Sequence, residues 1–161
     1  MKTSKKEIQD IIKAWLAISI AFAVVLSDNF SNIFSSFILS AITVGVGFLL
    51  HELAHKVFAQ RYGYMAEFRS FDSMLVLAII FSFFGFVFAA PGAVMIPGNL
   101  TKTKNGIVSL AGPFTNLILA FIFLGISFIF TQGFINLIGT YGYRINTWLA
   151  IFNMKIGRAH V

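Results

Sequence analysis

His51, Glu52 and His55 stand out in this chain because their types and spacing could do chemistry together. On a helix, residues i and i+4 lie one turn apart on the same face, so both imidazoles can point at one metal ion. Glu52 sits beside that face, close enough to act on a water held by the metal. Zinc suits imidazole nitrogen, lowers the pKa of a bound water to about 7 and polarises a substrate carbonyl. Glu52 would then take the water's proton and later pass it to a departing amine, as general base and then acid. The 161 residues contain three His and no Cys. Thiolate ligands and cysteine nucleophiles are therefore excluded, and chance seldom produces this spacing from so few histidines.

The elements that must position this group belong to a membrane. Apolar residues make up 58% of the chain and charged residues 11%, whereas soluble domains run near half apolar and about a quarter charged. Disorder, a collagen-like repeat and a disulfide scaffold are excluded by the same composition. The net charge of +6 forms no basic face for nucleic acid, because the twelve Lys and Arg are scattered among apolar runs. They read as topology markers instead. Ionisable residues within a span are costly and by default mark function. The plainer alternative is a helix end at the cytosolic interface, with His51, Glu52, His55 and Lys56 meeting headgroups.

A helical crossing needs about 20 mostly apolar residues. The first candidate is Ala14 to Leu26, extended backward by Ile8, Ile11 and Ile12. No small-residue cleavage site follows it, which favours a retained span over a signal peptide. The second runs from Ile33 to about Phe58, and its Ser35, Ser36, Ser40, Ala41, Gly45 and Gly47 suit close packing inside a bundle. The third is Ser73 to Gly98, the fourth Gly106 to Phe130, and a fifth begins near Tyr143. Basic residues at 2, 5, 6, 13, 56, 61, 69, 102 and 104 place the N-terminus and region 56–105 in the cytosol, with 27–32 and 131–142 outside.

Basic flanks at both ends ask the third stretch to return to the side it came from. That predicts a re-entrant element: a helix over about Met74 to Phe84, then extended chain through Pro91 and Pro97, which forbid a continuous helix. Such backbone is tolerated at membrane depth only where protein buries it or water lines it. A complete span over 73–90 is the alternative. The expected fold is an all-α polytopic membrane protein of four or five membrane segments. It forms one membrane-embedded domain over residues 1–154, with the metal site near the cytosolic leaflet.

Three blocks of the sequence resemble the site-2 protease family of intramembrane zinc metalloproteases, in its small prokaryotic form without a PDZ domain. Gly47 to Gly63 (GFLLHELAHKVFAQRYG) is similar to the metal-binding helix and the polar turn after it. Ser109 to Ala120 (SLAGPFTNLILA) is similar to the A-G-P-x-x-N helix. Trp148 to Met154 (WLAIFNM) resembles the first half of a segment that reads roughly F-N-L-x-P-x-x-P-L-D-G. The resemblance implies one zinc per chain on His51 and His55, with Glu52 as the catalytic base. It also implies that Asn116 holds the substrate or the active-site geometry, and that Gly112 and Pro113 shape the helix entry beside the metal and the substrate site. A helix kink at Gly112-Pro113 and an interhelical hydrogen bond from Asn116 are the plainer alternatives. The extended FVFAAPGAVMIPG resembles a sheet element that pairs with an unwound substrate strand, a plain loop being the alternative.

The implied partners are the bilayer and a transmembrane helix of a substrate protein, in the cell membrane of a prokaryote. The oligomeric state is left open. A catalytic zinc takes three protein ligands, and the third implied here, the Asp of L-D-G, is expected beyond the end of this chain. Lys155 to Val161 is similar to a translated sequencing adapter and is expected to be non-native; for lack of the third metal ligand the chain as given is expected to be inactive. Asp72 and His160 are poor substitutes for the missing ligand. Two other functions fit the residues less well. One is a non-catalytic member of the same fold that binds membrane helices. The other is a small metal or proton transporter lined by His51, Glu52 and His55.

Overall fold

A computed structural model describes residues 2–27, 30–87 and 91–157, with side chains at 2–27, 31–87 and 91–154. Helix α1, Lys5–Leu26, starts at Ser4, whose Oγ accepts from the Glu7 backbone N–H at 3.2 Å; a side-chain cap satisfies one of the orphan donors of the first turn. A second helical run covers Ile33–Arg61 as α2, Ile33–Ser40, and α3, Val46–Arg61, joined by a π turn over Ala41–Gly45. Such a turn releases backbone carbonyls from the ordinary ladder. Two side chains meet them here: Trp15 Nε1 of α1 donates to Ala41 O at 3.2 Å, and Asn146 Nδ2 donates to Thr43 O at 3.4 Å.

Strand β1, Glu67–Ser70, follows α3, then α4, Asp72–Ser82, and strand β2, Gly92–Met95. The strands pair antiparallel, with Phe68 opposite Val94. At 1.5 Å per residue α4 is about 16 Å long, half of a hydrocarbon core, so the helix stops well short of a complete span over 73–90. Its start matches the expected short helix to within two residues. Asp72 opens it in the first turn and bonds Lys13 Nζ at 2.7 Å and Ser70 Oγ at 2.6 Å. The Lys13 ammonium holds the Asp72 carboxyl below the usual carboxylate range. The extended β2 was expected; β1 was not, because Glu67 to Asp72 reads as a polar loop. Its signal was the alternation around Phe68, whose side chain is buried between α1 and α3.

Helices α5, Lys102–Ile129, and α6, Gly133–Gly157, complete the chain. Here the structure corrects the sequence. Residues 131–142, expected as an external loop with the last segment beginning near Tyr143, are helical from Gly133 onward. Gly139 and Gly142 of this stretch are packing positions. A Cβ on Gly142 would run into the Phe123 ring of α5, and one on Gly139 would meet the Ser127 backbone; small residues of this kind let helices approach closely. Gly142→Leu should therefore cost about 1–3 kcal/mol through overpacking, measured as a drop in thermal midpoint in detergent. An unchanged midpoint would show that α5 and α6 are not held together there.

The helices α1, α2 with α3, and α5 are long and apolar enough to cross a membrane. Their side chains sort accordingly. Ala14, Ala21, Ala59 and Ala120 lie inside, while Phe34, Phe121 and Phe128 point outward. Small residues inward and large ones outward is the sorting expected where lipid, not water, surrounds the bundle. Ala59, Ala66 and Val108 form one buried cluster, packed by Val94 of β2 and by Ile96 just after it, while β1 packs on α1 through Phe68.

Candidate metal centre

The i, i+4 spacing on α3 puts the two imidazoles side by side. His51 Nε2 and His55 Nε2 face one another at 3.0 Å, with the rings edge to face at 81°. His55 Nδ1 lies 2.6 Å from the Val108 carbonyl of α5. A carbonyl can only accept, so Nδ1 carries the proton and Nε2 keeps its lone pair. His51 Nδ1 lies 3.2 Å from the Asn116 side-chain nitrogen, and Asn116 Oδ1 is buried with no partner among the described residues. A half-turn of that amide exchanges its two ends and gives the orphaned oxygen the His51 Nδ1–H. Both imidazoles then present Nε2 lone pairs to one point, each held from behind by α5, the outer support that metal-bound histidines ordinarily have.

Gly112 makes this approach possible. A Cβ there would collide with Nε2 of both His51 and His55, so no other residue lets α5 pass so close. Pro113 follows it, fully buried inside the helix, and cannot donate to the Ser109 carbonyl one turn back. Asn116 is also fully buried and touches His51. Gly112 and Asn116 thus lie against the histidine pair, with Pro113 between them in the helix.

In front of the pair lies a cleft of about 290 Å³ lined by His51, Glu52, His55, Val94, Ser109 and Asn153, among others. The Glu52 carboxyl and the backbone N–H of Val94 in β2 lie close together in this cleft. Asn105 and Ser109 also line the cleft and had been given no role. Their signal was periodic: Asn105, Ser109, Gly112 and Asn116 follow i, i+4, i+7 and i+11, one stripe of α5. Asn153 had been quoted only as part of a motif, and α6 brings it across to the same cleft.

A protein of Methanocaldococcus jannaschii named "Putative zinc metalloprotease MJ0611" is 44% identical to this chain over 154 residues, which cover 94% of this chain and 78% of the relative. The chain belongs to that zinc metalloprotease family. No family model and no solved structure matches it. For this metalloprotease the donor set is the point to test, and it fits zinc: two neutral imidazole nitrogens converge at a separation one ion can bridge at its usual Zn–N distance of about 2.0–2.1 Å.

Among the described residues of the metalloprotease no third His, Cys, Asp or Glu joins the pair. Glu7 is paired with Lys56, Asp10 with Lys6 and Lys13, Glu67 with Arg69, and Asp72 with Lys13. Asp28 and His160 lie outside the described residues, as do positions 158–161 of the tail expected to be non-native.

Proposed function

We propose that this protein is a zinc-dependent intramembrane endopeptidase of the site-2 protease type, cutting a peptide bond in or beside a transmembrane helix of another protein. One observation carries the proposal. The converging His51 and His55, with Glu52 between them, sit within a 29-residue apolar helical run, Ile33–Arg61, long enough to cross a bilayer. Catalytic machinery placed there meets substrates that are themselves in the membrane. We place the site near the cytosolic leaflet of a prokaryotic cell membrane, with the N-terminus cytosolic, following the distribution of Lys and Arg.

His51 and His55 would hold one zinc ion, which when bound supplies a Lewis acid and lowers the pKa of water beside it. The chain's own residues do the rest. Val108 and Asn116 hold the two imidazoles in the orientation that turns Nε2 toward the cleft. Val94 N–H steadies the Glu52 carboxyl, which takes a proton from the attacking water and returns it to the departing amine. β2, through Ala93 and Val94, and Ile96 just after it give the cleft an extended wall, against which an unwound substrate segment pairs by strand addition. Asn105, Ser109 and Asn153 offer hydrogen bonds to that backbone.

Removing the metal tests the proposal. Full-length protein in proteoliposomes should cleave a membrane-embedded reporter, lose that activity on zinc chelation and regain it when zinc alone is returned. Cleavage that survives chelation, or flux of zinc or protons across the vesicle without cleavage, would overturn it.

A further inference from the structure

The first helix, generic in sequence, carries a carboxylate that reaches the site from behind. Glu7 and Lys56 form an ion pair at 2.6 Å, with side-chain exposures of 0% and 1%. Lys56 Nζ also donates to Thr3 Oγ1 at 2.9 Å. The carboxylate's two oxygens serve different elements: Oε2 holds Lys56 of α3, and Oε1 accepts the backbone N–H of Phe68 in β1 at 3.0 Å. Lys56 lies one helical turn after Glu52. Phe68 is the register partner of Val94, whose backbone N–H lies close to the Glu52 carboxyl in the cleft that both line. A closed circuit results, running from Glu7 through β1 and β2 to Glu52, along α3 to Lys56, and back to Glu7.

Buried ion pairs are expensive to desolvate, and a well-packed apolar pair of similar volume often serves stability as well or better. What an apolar pair cannot do is accept the Phe68 N–H. We infer that Glu7, clamped by Lys56, is a positioning residue for Glu52: it locks the strand pair that aims the Glu52 carboxyl to the helix that carries it. The N-terminal helix is then part of the active site's frame as well as a membrane anchor. The inference rests on the proposed role of Glu52 as general base, and its test reads the strand pair directly.

Two double variants separate positioning from packing. Glu7→Leu with Lys56→Met replaces the pair by apolar residues and leaves the Phe68 N–H without an acceptor. Glu7→Gln with Lys56→Met removes the charges but keeps a side-chain oxygen for that N–H. Backbone hydrogen exchange at Val94 and Phe68, followed in zinc-free protein, should quicken about tenfold in the first variant, the equivalent of one lost hydrogen bond, and stay within about threefold of the parent in the second. In the zinc-loaded full-length protein kcat should fall about tenfold in the first variant with KM within about twofold, and recover in the second. Equal exchange in parent and both variants, or equal quickening in both variants, would overturn the inference.

If the Leu/Met variant does not melt cooperatively, Glu7→Asp replaces it. The shorter carboxylate keeps a charge for Lys56 but withdraws from Phe68, and the same two outcomes decide. If the parent cuts no reporter, the proposed function falls, while the exchange result still decides the role of Glu7.

Discussion

Glu52→Gln should lower cleavage of a membrane-embedded reporter by about 100- to 10,000-fold, the range that general acid–base catalysis contributes, while leaving the protein folded and its zinc bound. The separation of effects follows from the geometry. Glu52 is not one of the converging donors; those are the Nε2 atoms of His51 and His55. Glutamine keeps a side-chain oxygen that can accept the Val94 N–H, so the strand pair stays seated and the thermal midpoint changes little. What glutamine lacks is the capacity to accept a proton from water near neutral pH. Cleavage assays beside metal analysis of the purified variant check both halves. Normal cutting by this variant would remove Glu52 from the mechanism, and loss of zinc would make it a ligand or a structural support instead.

Gly112→Ala should weaken zinc binding by about 10- to 100-fold, the range seen when groups supporting metal ligands are disturbed, even though it adds a single methyl group and touches no ligand's chemistry. The added carbon would fall on the Nε2 atoms of both histidines. Something must move, and each possible movement damages the site. If α5 withdraws, Val108 and Asn116 retreat from the imidazoles they hold. If the imidazoles turn away, their lone pairs no longer meet. Overpacking should also cost about 1–3 kcal/mol of stability. Competition with a chromogenic chelator measures the affinity and a thermal melt in detergent measures the stability. Wild-type zinc affinity would show that α3 and α5 are looser than their contacts imply. The two substitutions make a useful pair, since one should keep the metal and lose the reaction while the other loses the metal first.

The Glu7–Lys56 pair was invisible from sequence for a plain reason. Lys56 reads as a cytosolic topology marker, and Glu7 as the ordinary acidic residue of a capped first turn. Neither suggests a partner 49 residues away in the chain. The cleft's Asn105 and Ser109 were legible in principle, since they share a helical stripe with Gly112 and Asn116, but polar residues near a helix start attract no attention until the face they lie on is known. Residues 133–142 carry no basic residue and read as an outside link, and a glycine such as Gly139 or Gly142 serves loops and close helix packing alike. A single sequence does not say which use applies.

By itself the sequence determined that the chain belongs in a membrane, that His51 and His55 share one face of an apolar helix with Glu52 beside it, and that residues 73–98 do not form one uninterrupted helix. Each follows from local physics: apolar run length, the 3.6-residue period, and the missing proline N–H. The tertiary structure decided what depends on surfaces meeting. It turned Asn116 and Val108 onto the backs of the imidazoles, made Gly112 the point of closest approach, gave β2 a partner in β1, and buried Glu7 against Lys56. Those choices depend on which helix faces pack together, and contacts between residues far apart in the chain leave no period to read.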